Sequence, residues 1–229
     1  MNNNFAVAID GPVGVGKSTT ARLTAKKLGF TYIDTGAMYR AVALYMLENG
    51  INLHDNEAVS SNLNSVNIFL KYEDGFQKIY LNNKDITNDI RTQTVSEGAS
   101  VVGSHPKVRE KLVAEQKKLA ETGFIVMDGR DIGSYVIPWA QVKIYLDAAQ
   151  EIRARRRVLD LEAKNQPADF REVLDETKIR DHRDKTRETS PLIQTKDAIL
   201  IDTGLLTLEE VIDKIVSIVN VKLRERQEK

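Results

Sequence analysis

"FAVAIDGPVGVGKSTTARL", residues 5–23, runs an apolar stretch into a glycine-rich turn and then into a helical pattern. Within it "GPVGVGKST", residues 11–19, fits G-x-x-x-x-G-K-[ST] through Gly11, Gly16, Lys17 and Ser18. Glycines let consecutive backbone N–H groups turn inward as an anion nest, backed by the positive end of the following helix. Lys17 adds a point charge for the β- and γ-phosphates, and Ser18 offers a hydroxyl to Mg²⁺. Gly11, Pro12, Val13, Gly14, Val15, Gly16, Lys17, Ser18 and Thr19 are therefore the expected cradle of a nucleoside triphosphate.

The rest of the chain is organised around this turn. Five short apolar runs, Phe5–Ile9, Tyr32–Ile33, Phe124–Met127, Val142–Leu146 and Ile199–Ile201, each end on an aspartate: Asp10, Asp34, Asp128, Asp147 and Asp202. Continuous apolar runs suit strands buried on both faces of a parallel sheet, and open α/β sheets bind ligands at the carboxyl ends of their strands. Helical patterns at Thr19–Leu28, Pro106–Ala120, Ile152–Ala163 and Leu208–Val219 alternate with them, which predicts an α/β fold. Residues 66–86 break the alternation. Period-two runs split by Asp74-Gly75 and Asn82-Asn83 predict a small antiparallel insert.

Composition narrows the function classes. In 229 residues, Lys plus Arg is 33 and Asp plus Glu is 33, so no global field attracts nucleic acid or a membrane surface. The absence of cysteine excludes disulfides, thiolate catalysis and cysteine-ligated metals. His54, His105 and His182 are scattered and give no catalytic signal, and Trp139 and the tyrosines need no role beyond packing. The opening "MNNNFAVAID" lacks the basic flank and apolar core of a signal peptide. The expectation is a soluble, cytoplasmic monomer.

A triphosphate cradle does not by itself name a reaction. A GTPase would need N-K-x-D, and the nearest string, Asn83-Lys84-Asp85-Ile86, ends on the wrong residue inside the insert. A mechanical ATPase usually needs a longer chain. A small-molecule kinase needs a second anion site, and candidates follow the strands. Thr35 and Arg40 lie in "YIDTGAMYRA", and Arg130 and Asp131 in "VMDGRDIG". Asp128, closing a strand, resembles a Walker B carboxylate that would hold Mg²⁺ or its waters. Thr35 alone reads as an N-cap for the next helix, and Arg130 alone as an ion pair with Asp128 or Asp131.

"GPVGVGKST", "DTGAMYRA", "DGRDIG" and "RDHRD…R…SPL" together resemble the bacterial cytidylate kinases, which phosphorylate CMP and dCMP from ATP. The likeness runs from the first strand to the final helix. Lys185 stands where that family often has a small residue, and is expected to be variable surface. The resemblance implies a P-loop NTPase fold with a five-stranded parallel sheet, an inserted substrate domain and a short helical lid. The implied segments are a core at 1–36, 106–152 and 188–229, a monophosphate-binding insert at 37–105 and a lid with flanking helices at 153–187. ATP is the implied donor with Mg²⁺, and CMP and dCMP the acceptors. A UMP- or AMP-specific kinase and a non-catalytic nucleotide-binding P-loop protein are the alternatives.

The chemistry agrees. A phosphate acceptor is already ionised near neutral pH, since its second pKa is about 6. Such a site needs arginines against charge repulsion rather than a general base. Cytosine's N4 amino group calls for a carboxylate, which Asp131 supplies. Ser100 and Arg109 otherwise read as a satisfied helix hydroxyl and a solvated first-turn residue. The resemblance makes them base readers. In "EIRARRRVLDLEAK", helical geometry puts Arg153, Arg156 and Arg157 on one face with Arg155 pointing away. The resemblance makes Arg153 and Arg157 lid arginines over the donor phosphates, with a solvated basic helix as the alternative. Lys17, Arg130, Arg157 and Arg187 are the expected catalytic cations.

One charged run remains, "IRDHRDKTR", residues 179–187. The apolar stripe Phe170, Val173, Leu174 and Thr177 extends by 3.6-residue steps onto Arg180, Asp181, Asp184 and Arg187. That face should turn charged without turning to solvent. Asp184 can ladder with Arg180 and Arg187, which leaves positive charge expected to meet a phosphate and a ribose, with Arg180 and Asp184 on the ribose.

Overall fold

A computed structural model describes residues 4–73, 76–121, 123–163 and 165–228. The chain forms two compact units, one of Met1–Tyr32 with Ala120–Lys229, the other of Ile33–Leu119.

In the first unit the cradle strand β1 (Phe5–Asp10) is the centre of the sheet, and all six of its residues are buried. Strands β2 (Thr31–Asp34), β6 (Phe124–Gly129), β7 (Val142–Asp147) and β8 (Ile199–Asp202) complete it in the order β2-β6-β1-β7-β8. The β1–β6, β1–β7 and β7–β8 pairs are parallel. Chain connections leave β1 in one direction toward β2 and the other flank is built by β7 and β8, so the order reverses at β1. The turn after β1 thus emerges at the switch point where such sheets bind ligands.

Helix α1 (Lys17–Leu28) begins directly after the turn and ends on Gly29 in the left-handed region. Helices α6 (Gln150–Glu162), α7 (Phe170–Thr186) and α8 (Leu208–Gln227) follow the later strands. Thr207 and Glu210 form a capping box at the start of α8. That helix outruns its apolar pattern to Gln227, because "KLRERQ" is made of strong helix formers. The apolar core joins Phe5, Val7, Ile9, Val126, Ile144 and Leu146 to Val211, Ile215 and Val219. The largest departure from two-sided burial among the described strands of this sheet is β8. It is an edge strand, and Ile199 and Leu200 are 41% and 51% exposed.

The second unit holds α2 (Thr35–Glu48), α3 (Asn56–Asn62), α4 (Gln93–Val102) and α5 (Pro106–Leu119) with an antiparallel sheet of β3 (Ile68–Glu73), β4 (Phe76–Leu81) and β5 (Lys84–Asp85). The residues expected as the insert, 37–105, lie inside it. Asn82 and Asn83 take φ of 48° and 70°, as a two-residue hairpin turn requires. The other expected turn, Asp74-Gly75, falls outside the described residues. Phe69 and Tyr80 stack across the β3–β4 pair at 4.8 Å, and Met38, Ala41, Val42, Ile79, Leu81 and Ile90 supply the unit's own core. Among the described residues no helix is long and apolar enough to cross a membrane.

Two glycines of the turn answer to different constraints. A Cβ on Gly11 would lie 2.2 Å from the Leu146 carbonyl oxygen, whereas one on Gly16 would meet nothing within 4 Å. Both have positive φ, 150° and 88°. Gly16→Ala should therefore cost about 1 kcal/mol for backbone conformation alone. Gly11→Ala, which also overlaps the β7 backbone, should cost about 3 kcal/mol or more. Urea unfolding followed by circular dichroism measures both; equal losses would contradict the close approach of the turn to β7.

Candidate active site

Gly14 and Gly16, with φ of 74° and 88°, shape the turn, and Gly16 caps α1. The Lys17 ammonium is buried and donates to the Pro12 carbonyl at 2.5 Å, folding back over the turn it closes. Burial pulls it well below its ordinary 10.5, helped by Arg130 and opposed by Asp128, Asp184 and Asp10. Cradle lysine and strand-end arginine therefore belong to one electrostatic cluster.

Asp128 is the node between cradle and sheet. Its Oδ2 accepts from the Ser18 hydroxyl at 2.9 Å, and its Oδ1 accepts from the Tyr32 hydroxyl at 2.8 Å. A hydroxyl and a carboxylate held side by side at a triphosphate turn are the oxygen donors a hard divalent cation takes, with phosphate and water completing its shell. The residues present fit Mg²⁺. Tyr32, which orients this carboxylate from β2, carried no expectation beyond packing.

Arg130 does not pair with Asp128 or Asp131. Its Nε donates to Asp184 Oδ2 at 2.7 Å, from the end of β6 to the buried face of α7. Asp131 instead accepts from Arg187 at 3.3 Å, with both side chains 6% exposed. Burial alone would raise Asp184, but the charge and hydrogen bond of Arg130, with Arg187 and Arg180, hold it below 3.8. Arg187 also donates twice to the Ser190 carbonyl, which fixes the guanidinium at the helix end. The α7 face behaves as its spacing implies: Val173, Thr177, Asp181 and Asp184 are buried, Arg180 is half-buried and Lys185 is exposed. The positive charge expected on that face is met by Asp131 from another element. The i+3 pair of the ladder, Arg187 with Asp184, is present at 4.0 Å, longer than the 2.7 Å contact of Asp184 with Arg130.

The three cofacial arginines of α6 divide. Arg153 is 3% exposed; it makes a two-point pair with Asp181 on α7 and donates to the carbonyls of Ala148 and Val13. It meets the cradle through Val13, as a brace between α6, α7 and the turn. Arg156 holds Thr203, whose hydroxyl donates to Val15 and Asp147. Arg157 is half-buried and has no hydrogen-bonded or ion-paired partner among the described residues. Arg155 is exposed, over the Phe170 ring. A wholly solvated basic helix is not what the chain builds.

In the second unit the helix cap is Asp34, not Thr35. Asp34 Oδ1 accepts from the Ala37 N–H at 2.9 Å and Oδ2 from Arg40 at 2.8 Å, while Thr35 is buried as the first helical residue. A side chain at Gly36 would crowd them: a Cβ would lie 3.2 Å from Asp34 and 3.3 Å from Arg40. The buried Arg40 Nε has no hydrogen-bond partner among the described residues. Arg109 is 1% exposed rather than solvated, donating to the Gly103 carbonyl with its guanidinium 5.7 Å from the Tyr39 ring centre. Ser100 is half-buried on α4.

Asp10 is the residue that sequence reasoning passed over. Its carboxylate accepts from the backbone N–H groups of Ile132 and Gly133 at 2.8 and 2.7 Å, at the start of the π-helical turn Ile132–Val136. Its position beside the first cradle glycine was the available signal. Burial pushes this carboxyl from 3.8 to about 6, against the two backbone donors and Lys17, with Asp131 adding to the rise.

The family model for cytidylate kinase matches residues 7–221. A cytidylate kinase of Geobacillus sp. (strain WCH70) is 47% identical over 223 residues, covering 97% of this chain and 100% of the relative. One from Carboxydothermus hydrogenoformans (strain ATCC BAA-161 / DSM 6008 / Z-2901) is 49% identical over 216 residues, 94% and 97% of the two chains. Among solved structures, a gluconokinase from Sinorhizobium meliloti 1021 superposes with a TM-score of 0.51 at 11% identity, covering 100% of this chain and 99% of that one. That likeness is one of fold.

The shifted Asp10 has a consequence for stability. Between about pH 4 and about pH 6 the folded chain keeps a proton that the unfolded chain has released. The contribution of this group therefore falls as pH rises through that window, by about 1.4 kcal/mol per unit at most. Unfolding free energies across the window should decline less in Asp10→Asn than in wild type. Parallel profiles would contradict a raised Asp10.

Proposed function

We propose, for a chain that belongs to the cytidylate kinase family, that it transfers the γ-phosphoryl group of ATP to CMP or dCMP, giving ADP and CDP or dCDP. The observation that best supports this reading is the buried arginine–carboxylate cluster sharing one electrostatic neighbourhood with the cradle lysine. No histidine takes part in it. That is the design suited to an acceptor that is already an anion.

The cradle amides of residues 11–19 and Lys17 hold the β- and γ-phosphates, and Arg157 meets the phosphates from α6, with Arg153 bracing the turn. Ser18 and Asp128 hold Mg²⁺, which when bound screens charge on the donor phosphates. An oxygen of the acceptor phosphate attacks the γ-phosphorus. The bond to the β,γ-bridging oxygen breaks, and its electron pair leaves with ADP. Because the attacking oxygen is ionised, no proton has to be removed.

The chain's own contribution is to place these anions and to balance their repulsion. In the first unit Arg130 and Arg187 take the acceptor phosphate, Asp131 the cytosine amino group, and Arg180 and Asp184 the ribose. In the second unit Thr35 and Arg40 are assigned to the phosphate and Ser100 and Arg109 to the base. The Arg40 Nε, unpartnered among the described residues, supports an anion there.

The test is ADP release from ATP with CMP, dCMP, UMP and AMP in turn. CMP and dCMP should be the preferred acceptors, Lys17→Ala should reduce turnover by about a hundredfold or more, and Asp131→Ala should narrow the preference for CMP over UMP. Preference for UMP or AMP would assign a different acceptor. No transfer to any of them would leave a nucleotide-binding protein.

A further inference from the structure

Asp10 belongs to neither the donor nor the acceptor set, yet it adjoins the residues of both. It ends β1 and precedes Gly11, the first residue of the cradle. Its side chain is 6% exposed, and each oxygen accepts from one of two consecutive amides, Ile132 and Gly133. Those amides follow Arg130 and Asp131 directly in the chain. The turn is packed closely on the far side too. A Cβ on Gly133 would lie 3.2 Å from Lys143 Cδ and 3.4 Å from Asp10 Oδ2, while the Lys143 ammonium is held by Asp197.

We infer that Asp10 is a positioning residue for the phosphoryl acceptor: its carboxylate fixes the turn carrying Arg130 and Asp131 against the strand that carries the donor cradle. The inference rests on the acceptor roles proposed for those two residues. Its physical basis is a count of donors. Two adjacent N–H groups aimed at one side chain need two acceptor oxygens, which an ionised carboxylate supplies. An asparagine of the same size supplies one oxygen and sets an NH₂ against the second N–H. Leaving one of two buried donors unsatisfied would let the turn shift, and a shift of about 1 Å at a reacting group is costly. Arg130 and Asp131 would then meet the acceptor out of register, while the cradle keeps its own amides and Lys17.

The experiment compares wild type, Asp10→Asn and Gly133→Ala as full chains, with CMP and UMP as acceptors and a fluorescent ATP analogue for donor affinity. Asp10→Asn should raise the KM for CMP by about tenfold or more and narrow the CMP-to-UMP preference, with donor affinity within about twofold of wild type. A lower melting temperature with unchanged KM would reduce Asp10 to a structural residue and overturn the inference, as would equal loss of donor and acceptor binding. If Asp10→Asn fails to fold, Gly133→Ala decides, since it presses on the same turn with Asp10 intact. The same acceptor-selective rise supports positioning, and a wild-type KM overturns it. Hydrogen exchange separates this inference from the kinase reading. At least one of the Ile132 and Gly133 amides should exchange about tenfold or more faster in Asp10→Asn whatever the acceptor is, and wild-type exchange of both would overturn the inference alone.

Discussion

The ion pair between Arg130 and Asp184 is the contact on which the rest of the first unit's site depends. It joins the end of β6 to the buried, charged face of α7. Desolvating a guanidinium and a carboxylate costs several kcal/mol each, so such a pair adds little net stability over an apolar substitute. What it contributes is position. With Arg130 anchored on α7, Arg187 anchored on Asp131 and Arg153 anchored on Asp181, the two elements and the phosphate turn hold a single register.

This self-pairing alters what an acceptor would have to do. The cations are not waiting for a counter-ion, because Asp131, Asp181 and Asp184 already meet them. A phosphate bound among them would share or exchange carboxylate partners rather than fill an unmet charge. Fixed guanidinium groups with competing internal partners favour selectivity over raw affinity. The same logic explains the lack of a central base: the cluster manages charge, and the acceptor brings its own ionised nucleophile.

Local pattern carried much of this. The five strands were legible because each apolar run is bounded by an aspartate, and the inner face of α7 because 3.6-residue spacing carries Val173 to Asp184 unchanged. The Asn82-Asn83 turn was legible from its positive-φ residues. What was not legible depended on long-range packing. Arg130 and Asp184 are 54 residues apart, so only the folded sheet brings them together. Arg109 reads as solvated after a helix-starting proline, and its burial comes from α4 and Tyr39 closing over it. Asp34 outcompetes Thr35 as a cap because its two oxygens serve the helix N-terminus and Arg40 at once. The exposure of Ile199 and Leu200 on β8 is not disclosed by an apolar run, and edge position alone does not explain it, because the opposite edge strand β2 buries Tyr32 and Ile33. Helical spacing puts Arg153 on one face with Arg156 and Arg157, but its burial against Asp181, Ala148 and Val13 comes from α7 and the turn, which spacing does not disclose.

The central claim is that the charged inner face of α7 recognises the acceptor's phosphate. Calorimetric titration of CMP and of cytidine into wild type and Arg187→Ala, at fixed ionic strength, tests it most directly. The ratio of the two affinities isolates the phosphate from base and ribose. Wild type should bind CMP more tightly than cytidine, and Arg187→Ala should shrink that ratio by about tenfold or more. An undiminished ratio in the variant would contradict the claim and return the face to a purely structural role.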